Sequence, residues 1–193
     1  MLRLCLRTCI LVGCFSLVSL AAKAQEVVHA LAGTVTSIDP AAKTITVKTD
    51  DGSQGLFNDA INSKTAVEFD PNIRNDATAA DAFKKSGTRA IVYYFGVGNA
   101  RTVVALRSLG PGPFTISTGT VVSLDNGQHL LSMKPTSGAV QSFKIASSTV
   151  VETGMGAREG SNFQPGKGDQ VRVTATVVNG VATALFINAA IYY

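Results

Sequence analysis

Two histidines are the first candidates for chemistry, and neither has the company that catalysis needs. His29 and His129 have no second histidine or cysteine near them in sequence. A zinc site takes three or four such ligands, so both read as surface or half-buried side chains and no metal is expected. A serine nucleophile would need one of them plus a strained turn such as G-x-S-x-G, which is absent. "DPNIRND", Asp70 to Asp76, gathers oxygen ligands, but Arg74 stands where a calcium loop needs an oxygen and no glycine follows. It reads as a polar loop leading into a helix cap. "GMGAREG", Gly154 to Gly160, has the glycines of a phosphate loop, yet "SNFQPGKGD" follows and cannot supply the helix N-terminus on which phosphates sit. Asp39 and Asp125 are placed to satisfy backbone donors in turns. No catalytic residue and no cofactor is nominated, and the chain is expected not to be an enzyme.

The elements that would position any site begin after a leader. "MLRLCLRTCILVGCFSLVSLAAKAQ" has Arg3 and Arg7 as a positive start, an apolar run from Cys9 to Ala22, and the small-x-small sequence Ala22-Lys23-Ala24. Residues 1–24 are expected to be a signal peptide, detached as a helix in an unprocessed chain and cleaved after Ala24, which places the protein in the periplasm or outside the cell. A lipid-attachment reading of Leu11 to Cys14 is the lesser one, since only six residues separate Arg7 from Cys14. No transmembrane segment is expected after cleavage. Cys5, Cys9 and Cys14 are the only cysteines and leave with the leader, so the expected mature chain forms no disulfide and relies on its core. The full chain carries 17 Lys plus Arg against 13 acids. Without Arg3, Arg7 and Lys23 the balance is 14 to 13, which offers no electrostatic footprint for nucleic acid.

The rest is written twice. "GTVTSIDPAAKTITVKTDDGSQGLF" from Gly33 recurs without a gap as "GTVVSLDNGQHLLSMKPTSGAVQSF" from Gly119, with Gly33, Thr34, Val35, Ser37, Asp39, Lys48, Gly52 and Phe57 repeated identically. "SKTAVEF" from Ser63 matches "SSTVVET" from Ser147. "FKKSGTRAIVYYFGVGNARTVVAL" from Phe83 matches "FQPGKGDQVRVTATVVNGVATAL" from Phe163, with the Ala-Leu endings together. Two domains are expected, 25–110 and 111–193, separated by "LGPGPF". Alternating stretches such as Thr44 to Lys48 and Val171 to Val177, with turns at Asp50-Asp51-Gly52, Gly98-Asn99 and Asn179-Gly180, predict antiparallel hairpins. Val35 and Ile38 are three apart, as are Val121 and Leu124, so burying both of each pair requires a bulge near Thr36-Ser37 and near Val122-Ser123. The fold class is all-β: two tandem small antiparallel barrels of the oligonucleotide-binding or SH3-like type, with a two-sheet sandwich as second choice. "NDATAADAFKKSG" predicts a short helix inserted in copy one, capped by Asn75 or Asp76 and stopped at Gly87. Leu185, Ile187 and Ile191 are placed on one face of the last strand.

"GTVTSID", "KTITVKT", "GDQVRV" and "GVATAL" resemble the repeated signature of an uncharacterised family of exported bacterial small β-barrel domains. The resemblance implies the fold and export, and no catalytic residue. It departs from the signature where Gly87-Thr88 stands for Gly168-Asp169.

The one candidate surface lies on the fifth strand read along copy one. In copy two Val171, Val173, Ala175 and Val177 alternate with Arg172, Thr174 and Thr176, one face core and one face polar. The same register puts Ala90, Val92, Tyr94 and Gly96 in the core of copy one and turns Ile91, Tyr93, Phe95 and Val97 outward. That apolar stripe needs a cover, either the helix or the neighbouring barrel, or else a second subunit or an envelope partner. The expected function is a non-enzymatic binding or scaffolding module of the bacterial cell envelope, with its partner unspecified and self-association open. The alternatives are an enzyme with a site in the cleft between barrels and a barrel that binds polysaccharide or nucleic acid.

Overall fold

A computed structural model describes residues 25–59 and 66–190. The leader, with its expected helix, its cleavage site and Cys14, lies outside the described residues, as does Ile191. Copy one contains β1 (Glu26–Val27), β2 (His29–Asp39), β3 (Thr44–Thr49), β4 (Gln54–Asp59), β5 (Val67–Glu68), a one-turn helix α1 (Pro71–Arg74), β6 (Thr78–Ala79), β7 (Arg89–Phe95) and β8 (Thr102–Ser108). Copy two contains β9 (Thr115–Asp125), β10 (Leu130–Pro135), β11 (Gln141–Thr153), β12 (Gly156–Glu159), β13 (Gln170–Val178) and β14 (Val181–Asn188). No helix among the described residues is long and apolar enough to cross a membrane.

Copy two is a closed five-stranded barrel in the order β10-β9-β13-β14-β11, sealed by the β10–β11 pairing. Every neighbour in that ring is antiparallel except β11 and β14. Copy one repeats the order as β4-β3-β2-β7-β8, and its ring meets through two parallel pairs, Asn58 with Thr102 and Asp59 with Val103. Both expected bulges are present. The β2–β3 register shifts between Val35 and Ser37, and the β9–β10 ladder passes from Ser123 to Val121, skipping Val122. Each bulge lets Val35 with Ile38, or Val121 with Leu124, face one core. Gly33 and Gly119 open the repeat because the strands close tightly there: a Cβ would stand 2.5 Å from the Lys48 carbonyl oxygen in one copy and 2.2 Å from that of Lys134 in the other.

The helix predicted over Asn75 to Lys85 does not form. The helical turn lies earlier, at Pro71–Arg74, where the Asp70 side chain caps it by accepting from Asn72 N. Thr78–Ala79 instead pairs with the edge of β8, and a 3₁₀ turn at Ala80–Ala82 delivers Phe83 into the barrel core. Copy two does the same with a 3₁₀ turn at Gly160–Asn162 and Phe163. A lone Phe entering a barrel end contributes its burial without an apolar helical stripe, so the tertiary contact outweighs the helical propensity of the alanines. The expected difference between the copies is therefore a shared device. A second correction concerns the last hairpin. Phe95 pairs with Thr102 and Thr176 with Thr183, a constant offset of 81 residues, so Val103–Leu106 matches Ala184–Ile187 and the Ala-Leu endings do not correspond. Leu185 is the extra residue of a bulge, which parts it from Ile187 in the core.

Three apolar clusters hold the molecule. One fills each barrel, and the third lies between them, built from Val28, Ala30, Ala32, Ile91 and Tyr93 on one side and Val150, Ala157 and Phe186 on the other.

Candidate functional site

The third cluster brings the barrels together along the first half of β2. Ala30 and Ala32 present small side chains that allow close approach, and the Val28 carbonyl accepts from Ala157 N at 2.8 Å while Val28 N donates to the Glu68 carbonyl at 3.2 Å. At one end of this seam the apolar contact gives way to a cleft of about 350 Å³. Its walls include His29, Asp50, Asp51, Tyr94 and Arg101 from barrel one and Glu152, Arg172 and Asn188 from barrel two.

Glu152 sits at the end of β11 and is only 5% exposed. Its Oε1 lies 2.8 Å from His29 Nδ1, and its Oε2 accepts from Ala30 N at 2.7 Å. Burial raises its pKa above the ordinary carboxylate value, against the opposing pull of these two hydrogen bonds. Asp50, at the β3 turn, accepts from Arg89 of β7 and from the hydroxyl of Thr174, a buried residue of the opposite barrel. Asp51 accepts from the Thr49 hydroxyl and from Ser53 N at 2.8 Å. Hydrogen bonds from Ser53 and Thr49 hold its carboxyl at about 2. Tyr94 stands edge-on to Phe57 with ring centroids 5.4 Å apart and 6.0 Å from the His29 ring. Burial raises its pKa. The Arg101 guanidinium lies over the Phe57 ring at 4.4 Å, and its Nε donates to the Gly98 carbonyl at 2.9 Å. Arg172 Nε donates to Thr118 Oγ1 at 3.3 Å. A shallower depression of about 520 Å³ at Gly96, Val97 and Gly98 shares His29, Tyr94 and Arg101 with the cleft.

The stripe singled out from sequence divides. Ala90, Val92 and Tyr94 do face the core of barrel one. Ile91 and Tyr93 point the other way and are fully buried in the inter-barrel cluster, so they are not a free surface. Phe95 is half-buried, and Val97, 83% exposed, rims the outer depression. The neighbouring barrel and Phe69, whose ring centroid is 4.9 Å from that of Tyr93, are the cover. The Tyr93 hydroxyl has no hydrogen-bond partner among the described residues, and burial pushes its pKa up to about 12.

Asp39 and Asp125 accept backbone N–H bonds, Asp39 from Ala41 and Ala42 and Asp125 from Gln128. His129 lies in the β9–β10 turn with a positive φ of 53°, away from the cleft and not on a strand. Among the described residues no three of His, Cys, Asp and Glu converge on a point that could hold a metal ion. The residues that sequence reasoning missed are Glu152, Asp50, Arg101 and Arg172. Glu152 had one faint signal, an acid directly after the apolar pair Val150-Val151, but its repeat counterpart Glu68 is exposed and carries the same pattern. No protein-family model matches this chain, and no curated protein matches it.

Proposed function

We propose that this chain is an exported, non-enzymatic binding module of the bacterial cell envelope, built from two oligonucleotide-binding-fold-like barrels whose ligand seat is the cleft between them. The single observation that carries the reading is Glu152. A carboxylate withdrawn from water beside an open cleft is costly, and its counterpart in the other copy is left in solvent. Polar groups spent at a concave seam between two domains are the usual mark of a binding site. The ring order, with one parallel pair between its third and fifth strands, supports the fold assignment. Export, and the likeness to the exported small-barrel family, rest on the leader sequence and the repeated strand signatures.

A fragment library screened by amide chemical shifts on the labelled protein tests the seat. Shifts gathering on Ala30, Asp51, Tyr94 and Asn188 are expected. Shifts confined to other surfaces, or turnover of any fragment, overturn the reading. N-terminal mass analysis of the exported protein tests the route: a chain starting at Gln25 is expected, and a diacylated Cys14 refutes it.

A further inference from the structure

The cleft has spent its acceptors and kept its donors. Each acid in it is engaged internally: Asp50 by Arg89 and Thr174, Asp51 by Thr49 and Ser53, and Glu152 by His29 and Ala30 N. Asn188 likewise uses its Oδ1 to accept from Ala190 N at 3.0 Å. The two cationic side chains that line the cleft are in the opposite condition. Among the described residues neither Arg101 nor Arg172 has a carboxylate within ion-pair distance, although the charge of Arg172 reaches Asp51 and helps to lower its pKa, and each uses only its Nε, on Gly98 and on Thr118. The terminal guanidinium nitrogens of both arginines thus have no hydrogen-bond partner among the described residues, and both side chains line one cavity.

A guanidinium is planar and never deprotonates, and its paired N–H edge matches the two oxygens of a carboxylate or phosphate. Arg101 is already immobilised by Phe57 and by Gly98, so little side-chain freedom remains to be lost when it binds. The two arginines come from opposite barrels, one from the β7–β8 loop and one from β13. Neither belongs to the repeat, because at the offset of 81 residues Arg101 corresponds to Ala182 and Arg172 to Ile91. Their convergence is a property of the paired barrels. A cavity of about 350 Å³ suits a small organic acid or phosphate ester, not a polymer.

We propose that the inter-barrel cleft binds a small anion, a carboxylate or phosphate group, on the guanidiniums of Arg101 and Arg172. This rests on the cleft being the ligand seat. Isothermal titration of the exported protein with citrate, inorganic phosphate, glucose and spermidine tests it. Saturable binding of citrate or phosphate is expected, weakened about tenfold or more by Arg101→Gln and by Arg172→Gln. The melting temperature of each variant is measured alongside, and Arg101→Lys, which keeps the charge and loses the fork, is expected to fall between. Arg158→Gln, in an adjoining groove and not among the residues that line the cleft, is expected to leave the affinity unchanged. Citrate binding without phosphate marks a carboxylate ligand, and the reverse marks a phosphate. Anion binding that survives in an Arg101→Gln, Arg172→Gln double variant overturns the assignment, as does the absence of heat with both anions. Glucose or spermidine binding in their place, with shifts in the cleft amides, overturns the anion and leaves the cleft standing. No cleft response to any solute ends both.

Discussion

Laid over one another, the two copies differ most where strand three should meet strand five. In copy two β11 runs unbroken for 13 residues and pairs with β14 as far as Glu152 and Asn188. In copy one the corresponding described residues pair with two different partners: β4 meets β8 over two pairs, while β5 pairs with β1. The edge of β8 that this exposes is taken by β6. The same residue type then has opposite fates, since Glu152 is buried on the seam and Glu68 is exposed. The outer faces of β7 and β13 diverge in the other direction, with Ile91 and Tyr93 in copy one where copy two has Arg172 and Thr174. Each half holds its own core, and the outer faces differ, one presenting apolar and the other polar side chains. Thr174 completes the match by donating to Asp50 of the opposite barrel.

The largest effect should come from erasing that divergence. Ile91→Arg gives copy one the residue of copy two and buries an unpaired charge among Ala30, Val150 and Phe186. Urea unfolding should show a loss of about 4 kcal/mol or more, or no folded protein. An effect under 1 kcal/mol would mean the seam opens in solution. Tyr93→Thr, again the copy-two residue, should cost about 3 kcal/mol through lost aromatic burial. Tyr93→Phe should cost nothing or add up to about 1 kcal/mol, because it removes a hydroxyl that has no partner.

Below these stands the carboxylate pair. Glu152→Ala leaves Ala30 N and His29 without their acceptor and should cost about 1–3 kcal/mol. Glu68→Ala should stay within about 0.5 kcal/mol. Equal losses would dissolve the contrast between the copies.

The pH dependence of Glu152 has a definite sign. Its folded pKa is raised by burial, so its protonation favours the folded state at low pH, and that contribution is lost as pH rises through the raised value. Glu152→Gln should therefore gain stability relative to wild type between acid and neutral pH, and a flat difference would show the group to be solvated. Asp51 behaves oppositely. With its carboxyl held at about 2, its contribution is present above the ordinary value of 3.8 and disappears as pH falls through about 2. Asp51→Asn should flatten the acid limb of the unfolding curve, the smallest of these effects because the residue is exposed.

Much of the fold was legible because it is local. Hairpin alternation, the turns at Gly52 and at Asn179-Gly180, and the two bulges are written in spacings of two and three residues. The inserted helix was misread for the converse reason. Its alanines favour a helix locally, and only the barrel end that receives Phe83 decides otherwise. Of the candidate site, sequence marked the strand whose outer face had to be covered, yet it could not rank the neighbouring barrel against an outside partner, because a stripe of Ile91 and Tyr93 reads alike under either.

By itself, then, the sequence determined that the chain is a set of antiparallel hairpins, where two of the strands bend, and most of the core faces, Val177 being a residue placed in the core by its alternation that the structure leaves exposed, since these follow from side-chain period and backbone sterics over short spans. Only the tertiary structure decided which outer faces meet, that Glu152 is buried while Glu68 is not, and that Arg101 and Arg172 share one cavity. Those outcomes depend on how one barrel docks on the other, and residues more than 70 positions apart in the chain leave no periodicity from which their meeting could be read.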